Sequence, residues 1–439
     1  MKLRSFVVLL LLAGTAVAIT AGPAPASGRD SYEVWAIDQS NSTDLAYGGT
    51  LYIWDGHALE KGHTGKPAIA ETIDLAGPVA SMCFDKTAAY PVRPHMLAIT
   101  AGQTHAVISF VASGHVVFLD AETRAPVDCI RTSVGAGGAR QVHFAIPSAD
   151  ETYVVVANQN GKLFERINTD YATNTFALDT AAGIDLANCV TPNRVACQEP
   201  VLRPDNAPIC PIIDSTSRYS FVTLRGGGLF VVDSSATPMQ IVAEYDKATV
   251  HPNGCLGAET AGKMYIDSGG GTPSNVNEAD LYTFPAATFS PANPPNTPAP
   301  KVVFSEDVEG ADTHGATLTK NQKYLWVADR GRNFNFVVDT ATDTVVNRIM
   351  LTPGPSSDPT PDLLMLSPNG SHVFMSLRGP NPLTADPHVS TGSTPGVGVM
   401  KVLSGGKNGF FESVAPVSHI DGAGVERADV HALAVRLSR

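Results

Sequence analysis

Past residue 26 the chain has no apolar stretch long enough to cross a bilayer, and hardly any window with the 3.6-residue period of an amphipathic helix. The first absence excludes insertion in a membrane as a helix. The second argues against helical bundles and alternating strand–helix folds. Basic residues are few: 30 Lys and Arg stand against 42 Asp and Glu, a formal net charge of −12. A surface for nucleic acid or anionic lipid needs the opposite balance. The short catalytic and nucleotide motifs are missing too. There is no GxSxG or HExxH, no GxxxxGK followed by Ser or Thr, no EF-hand loop, and no GxGxxG leading into a helix. The glycine triplets at 226–228 and 269–271 read as tight turns between strands.

What is present begins with an export signal. Lys2 and Arg4 precede an apolar stretch from Phe6 to Ala13, with small-residue cleavage options after Ala18 and Ala26. Residues 1–26 are expected to be a signal peptide and 27–439 one mature domain, soluble and either periplasmic or secreted. Six cysteines in an exported chain favour disulfides. Cys189 and Cys197 bracket a short loop containing Pro192 and are expected to bridge. Cys83, Cys129, Cys210 and Cys255 leave their pairing open, and Cys210, near the head of a repeat, is also a candidate soft-metal ligand.

The rest of the chain reads as short strands separated by Gly, Asn, Asp, Ser and Pro. The clearest unit starts at His314 and runs HGATLTKNQKYLWVADRGRNFNFVVDTATDTVVNRIML, four strands with turns between them. Variants begin at His95, His143, near Cys210, at His251 and at Asp362. HALAVRLSR, from His431, has only the first strand of such a unit, and the N-terminal YEVWAIDQS…GGTLYIWDG has the strands that should follow it. The expected fold is therefore all-β: a seven-bladed β-propeller closed by the C-terminal strand joining the N-terminal blade. A repeat of this kind lets a chain of this length form one domain.

LSPNGSHVFMSLRG and KYLWVADRGRNFNFVVDTATDTVV resemble exported seven-bladed propellers with Tyr-Val-Thr-Asn-type repeats. That group includes binding proteins, metallochaperones and oxidoreductases. In having histidines around the propeller axis the chain is similar to copper enzymes such as thiocyanate dehydrogenases and nitrous-oxide reductases. It has no cupredoxin-type Cys-His-Met signature.

Six residues hold the same place in their repeats, at the head of the innermost strand: His95, His143, His251, His314, Asp362 and His431. Propeller geometry is expected to bring them to one mouth of the central channel. Imidazoles and a carboxylate there suit a transition metal, with copper expected and zinc as the alternative. Asp312 and Asp429 stand just before His314 and His431 and could accept the second ring N–H. Asp38, Asn158, Asp267, Arg225, Arg330 and Arg378 are read as ends of second strands on the same face. The three arginines are candidates to hold a small anionic substrate. His388, in an insertion, is a candidate lid ligand, and His105 is placed on the opposite face. The expected function is a copper-dependent oxidoreductase acting on a small substrate. A periplasmic metal carrier loading a protein partner, or a metal-free binding scaffold, are the alternatives.

Overall fold

The computed structural model describes residues 31–62, 68–270, 277–383 and 391–438. The expected signal peptide, and the lid candidate His388, lie outside these residues. Seven antiparallel sheets form the blades of a propeller, each of four strands, with a short fifth strand, Ile184–Asp185, added to blade 3. The innermost strands are Val430–Leu437, Pro94–Ile99, Val142–Pro147, Pro208–Ile213, Gly257–Thr260, Thr313–Leu318 and Pro361–Leu366 for blades 1 to 7.

Closure follows the expectation. Val430–Leu437 pairs antiparallel with Tyr32–Asp38, Trp35 facing Ala434 and Glu33 facing Arg436. The ring thus leaves no inner strand unpaired at the seam between the chain's two ends. Second strands are covered on both faces by neighbouring blades, so they read as continuous apolar runs. Tyr153–Asn158 (YVVVAN) and Tyr219–Leu224 (YSFVTL) are buried at every position.

Two features depart from the sequence reading. Pro78–Thr87 is a ten-residue helix with Pro at its start and a left-handed Ala88 at its end. Val79, Ala80 and Cys83 are its buried residues, too few for a clear helical period. Its Cys83 is bonded to Cys129 on the outer strand of blade 2, and Cys210 is bonded to Cys255. Cys189–Cys197 is bridged as expected. A soft-metal role for Cys210 is therefore corrected, since its sulfur is held in a disulfide.

The second departure concerns where each inner strand begins. In blade 2, Pro94 faces Phe110 and Leu97 faces Ile108, so His95 and Met96 together oppose Ser109. The same two-for-one bulge sets Ile209–Cys210 against Thr223, His314–Gly315 against Ala328 and Asp362–Leu363 against Ser376. In blades 1 and 3 a single extra residue, His431 or His143, interrupts the ladder. A bulge frees a residue from the pleat and re-aims its side chain. Here it turns the head residue into the channel.

In blades 2 and 7 a serine hydroxyl fixes the bulge. Ser109 Oγ accepts from Met96 N–H at 3.2 Å and donates to the His143 carbonyl at 3.0 Å. Ser376 Oγ accepts from Leu363 N–H at 2.8 Å and donates to the His431 carbonyl at 2.5 Å. Each bulge is thereby tied to the next blade's head residue. Gly315 completes the approach: a Cβ there would lie 2.1 Å from the Asp362 carbonyl oxygen, so only glycine lets blades 6 and 7 meet at this point.

Candidate metal centre

The bulges arrange the head positions as His431, His95, His143, Ile209, Cys255, His314 and Asp362 in blade order. Four imidazoles and one carboxylate therefore occupy a continuous arc, from His314 through Asp362, His431 and His95 to His143. Ile209 and the Cys210–Cys255 disulfide close the apolar remainder. Cys210 Sγ stands 3.6 Å from His143 Nδ1.

His251 does not belong to this ring, and its expected place there is corrected. In blade 5, Asp267 Oδ1 accepts from both Cys255 N–H and Leu256 N–H, at 3.0 Å each. That carboxylate takes the place of the serine hydroxyls in blades 2 and 7. The carboxylate therefore holds the backbone at Cys255 and Leu256, so Cys255 takes the head position and His251 lies four residues too early. Asn253 lines the mouth instead.

A cavity of about 70 Å³ lies at the mouth, lined by His95, His143, His314 and His431 together with Gln39, Gln159, Arg330 and Arg378. His95 Nε2 and His143 Nε2 are 3.2 Å apart. Ring centroids of His95 and His431 are 4.1 Å apart, and those of His314 and His431 5.3 Å.

The hydrogen bonds assign the proton on two of these rings. Gln39 Nε2 donates to Asp429 Oδ2 at 2.7 Å, which leaves Gln39 Oε1 to face His95 Nδ1 at 2.9 Å. An amide oxygen only accepts, so His95 carries its proton on Nδ1 and directs the Nε2 lone pair at the cavity. His431 Nδ1 donates to Asp362 Oδ2 at 2.6 Å, and its Nε2 is buried with no hydrogen-bond partner. His314 Nδ1 lies 2.7 Å from Asp362 Oδ1 but is not aligned for a hydrogen bond.

Asp362 is fully buried and anchors the arc. Besides His431 it accepts from Arg378 Nη1 at 2.9 Å and Arg330 Nη1 at 3.2 Å, with His314 beside it. Arg330 also grips Asp312 through Nε and Nη2, at 2.9 and 3.0 Å. Arg378 grips Asp429 in the same way, at 2.7 and 2.9 Å. The expectation that Asp312 and Asp429 would face ring nitrogens is corrected: Gln39 and Asp362 do so, while the two aspartates hold the arginines.

Arg330 and Arg378 line the cavity with their guanidinium groups already committed to carboxylates. Arg225 sits apart, its side chain 40% exposed, bonded to Asp205 Oδ2 at 2.6 Å and Asn160 Oδ1 at 2.8 Å. Asp38 and Asn158 turn into their blades: Asp38 Oδ1 accepts from Ser40 and Asp429 N–H, and Asn158 bonds Gln141 and Glu165. The residues after them, Gln39 and Gln159, face the mouth. Successive residues of a strand point to opposite sides, so a one-residue slip exchanges the two sets. The signal was available, because Arg330 and Arg378 occupy the same position, directly after strands ending at Asp329 and Leu377.

Burial holds the His95 and His143 pKa values well below the usual imidazole range, helped by the other imidazoles and the nearby guanidinium groups. His314 is pushed down to about 4, mainly by burial and then by Arg330, against the pull of Asp362. These three rings are neutral at neutral pH, the form that ligates a metal. Burial opposes ionisation of Asp362, but His431, His314, Arg330 and Arg378 together hold it well below the carboxylate range. Asp312 is raised to about 6 by burial, with Arg330 opposing. Arg93 also lines the cavity and is attracted by Asp429, so with all carboxylates ionised three arginines balance Asp312, Asp362 and Asp429.

This donor set fits a transition-metal ion. Nitrogens 3.2 Å apart suit neighbouring ligands of one ion, whose bonds to imidazole are about 2.0–2.1 Å. The partnerless His431 Nε2 is the kind of buried polar atom that a structure retains at a cost unless something binds it. His314, Asp362 and His431 each offer a ligand atom within 4.8 Å of the others.

No family model matches the chain, and no curated relative does. Among solved structures, a protein from Lactobacillus plantarum superposes with TM-score 0.58 at 11% identity, over 92% of this chain and 99% of that one. A Bacteroides fragilis protein named as a candidate 6-phosphogluconolactonase gives 0.54 at 11%, over 94% and 99%. The periplasmic gluconolactonase of Pseudomonas aeruginosa gives 0.51 at 13%, over 92% and 99%. At such identities the likeness is one of fold: this chain is a seven-bladed β-propeller with an imidazole-lined channel mouth.

Proposed function

We propose that the channel mouth is a transition-metal centre and that the protein is an exported copper-dependent oxidoreductase acting on a small substrate. The observation that carries this reading is the proton assignment. The Nδ1 atoms of His95 and His431 are tied to Gln39 and Asp362, which leaves two Nε2 atoms for the cavity. His95, His143 and His431 would hold the ion, with His314 as a fourth donor. Copper held there would supply one-electron exchange with the substrate.

The chain's own residues do the rest. Asp362 and Gln39 orient the rings, and carboxylate or amide partners of this kind fix the tautomer of a metal-binding histidine. Arg330 and Arg378 keep Asp362 ionised and in place. This differs from the sequence expectation, in which Asp362 was itself a ligand and the arginines met substrate. Of the three arginines, Arg225 has the most exposed side chain, and its guanidinium is held by Asp205 and Asn160 away from the cavity.

The small cavity also limits the substrate. At about 70 Å³ it is far below the roughly 300 Å³ or more of pockets for drug-sized ligands. A sugar lactone, the substrate class named for two of the fold neighbours, is a poor match for it. Three disulfides agree with an oxidising compartment outside the cytoplasm.

The test is electron paramagnetic resonance on protein folded in an oxidising compartment and washed with a chelator. A retained copper signal with nitrogen coupling, reversibly lost on reduction, is expected. Exchangeable zinc without redox activity would favour the carrier, and metal-free protein the scaffold.

A further inference from the structure

His251, displaced from the ring, has a setting of its own on blade 5. Glu278 and Asp280 are two residues apart at the start of the strand Ala279–Pro285, so their side chains share one face with Tyr282. The loop carrying His251 lies across that face, where its backbone N–H donates to Tyr282 Oη at 3.2 Å. His251 Nδ1 is then 2.9 Å from Asp280 Oδ2 and 3.5 Å from Glu278 Oε1.

Asp280 supplies an independent observation. It is 1% exposed, and its second oxygen, Oδ1, has no hydrogen-bond partner. Among the described residues its ion-pair partner is His251, with no guanidinium comparable to those that hold Asp362. Asp307 adds further negative charge acting on both His251 and Glu278. A buried carboxylate oxygen left without a donor is a site prepared for a cation or an ordered water. The His251 side chain is 35% exposed, so the cluster is open to solvent.

We propose that His251, Glu278 and Asp280 form a second divalent-cation site, distinct from the channel mouth. One ligand atom from each lies within 4.8 Å of the others. One imidazole with two carboxylates is a donor set for zinc or a similar first-row ion, with solvent completing the shell. The proposal does not rest on the copper reading, because none of its three residues lines the mouth.

The experiment is calorimetric titration of the metal-stripped, full-length protein with zinc chloride alone. It compares wild type, His251→Ala, Asp280→Asn and the mouth variant His95→Ala/His143→Ala. The expected result is a zinc site weakened at least about tenfold in His251→Ala and in Asp280→Asn, and retained in the mouth variant. Asp280→Asn preserves shape, and the partly exposed His251 can be removed without opening the core. Thermal melts confirm that both variants are folded. Zinc binding unchanged in both would overturn the proposal and would point to an ordered water at Asp280 Oδ1. Loss of a site only in the mouth variant would overturn it as well, while leaving the mouth reading intact.

Discussion

Asp362→Asn removes one negative charge and no volume from the most connected position of the channel mouth. Four groups face this carboxylate within 3.2 Å: Arg378, Arg330, His431 and His314. An asparagine keeps one acceptor oxygen and turns an NH₂ toward groups that are themselves donors. Breaking a buried ion pair from one side costs about 3–5 kcal/mol. Arg330 and Arg378 retain their paired bonds to Asp312 and Asp429, so the lower end, about 3 kcal/mol, is expected. Guanidinium denaturation of the metal-free protein reads it.

The pH dependence gives a second check. A carboxylate whose folded pKa is depressed contributes stability that is present above its unfolded value, near 3.9, and lost as pH falls through the folded value. The difference between wild type and Asp362→Asn should therefore hold steady from pH 7 to about 4 and narrow only below that. A difference under about 1 kcal/mol at pH 7, or one already gone by pH 5, would refute the picture of an ionised anchor.

Other outcomes follow from the same structure. The buried neutral imidazoles His95, His143 and His314 bind protons more readily in the unfolded chain. Metal-free protein should then lose stability as pH falls from about 6.5 towards 4, by up to about 1.4 kcal/mol per pH unit for each ring; a flat denaturation midpoint over that range would contradict it. Replacing Cys210 and Cys255 together by serine reopens a loop of 45 residues, at a cost of about 4 kcal/mol by loop-closure entropy. Equal denaturation midpoints for variant and wild type would count against this. Ending the chain at Asp429 removes the inner strand of blade 1, and limited proteolysis should find no protected propeller. Gly315→Ala forces blades 6 and 7 apart, so a loss of about 1–3 kcal/mol is expected from overpacking in the same denaturation assay.

Much of this was legible in the sequence, for identifiable reasons. HALAVRLSR lacks the strands that should follow it and YEVWAIDQS lacks the one that should precede it, which was enough to foresee the closure. His95, His143, His314 and His431 each begin an apolar run, and that marks the head of an inner strand. HPNGCLGAET carries the same surface pattern, but there Asp267 caps the backbone at Cys255 and moves the head position four residues along. A cap from the neighbouring strand leaves no local mark. The arginines repeat visibly, while their grip on Asp312, Asp362 and Asp429 depends on which blades are neighbours in space. Gln39 was missed by one residue, because strand ends are weakly defined by sequence while facing direction alternates at every step.

The central claim is that imidazoles from separate blades hold one transition-metal ion at the channel mouth. Elemental analysis of the full-length protein folded in an oxidising compartment tests it most directly, with wild type measured beside the folded His95→Ala/His143→Ala variant. The account predicts copper retained in wild type, and at least one equivalent per chain lost in the variant. Wild-type protein free of copper and zinc, or a variant with undiminished metal, would contradict it.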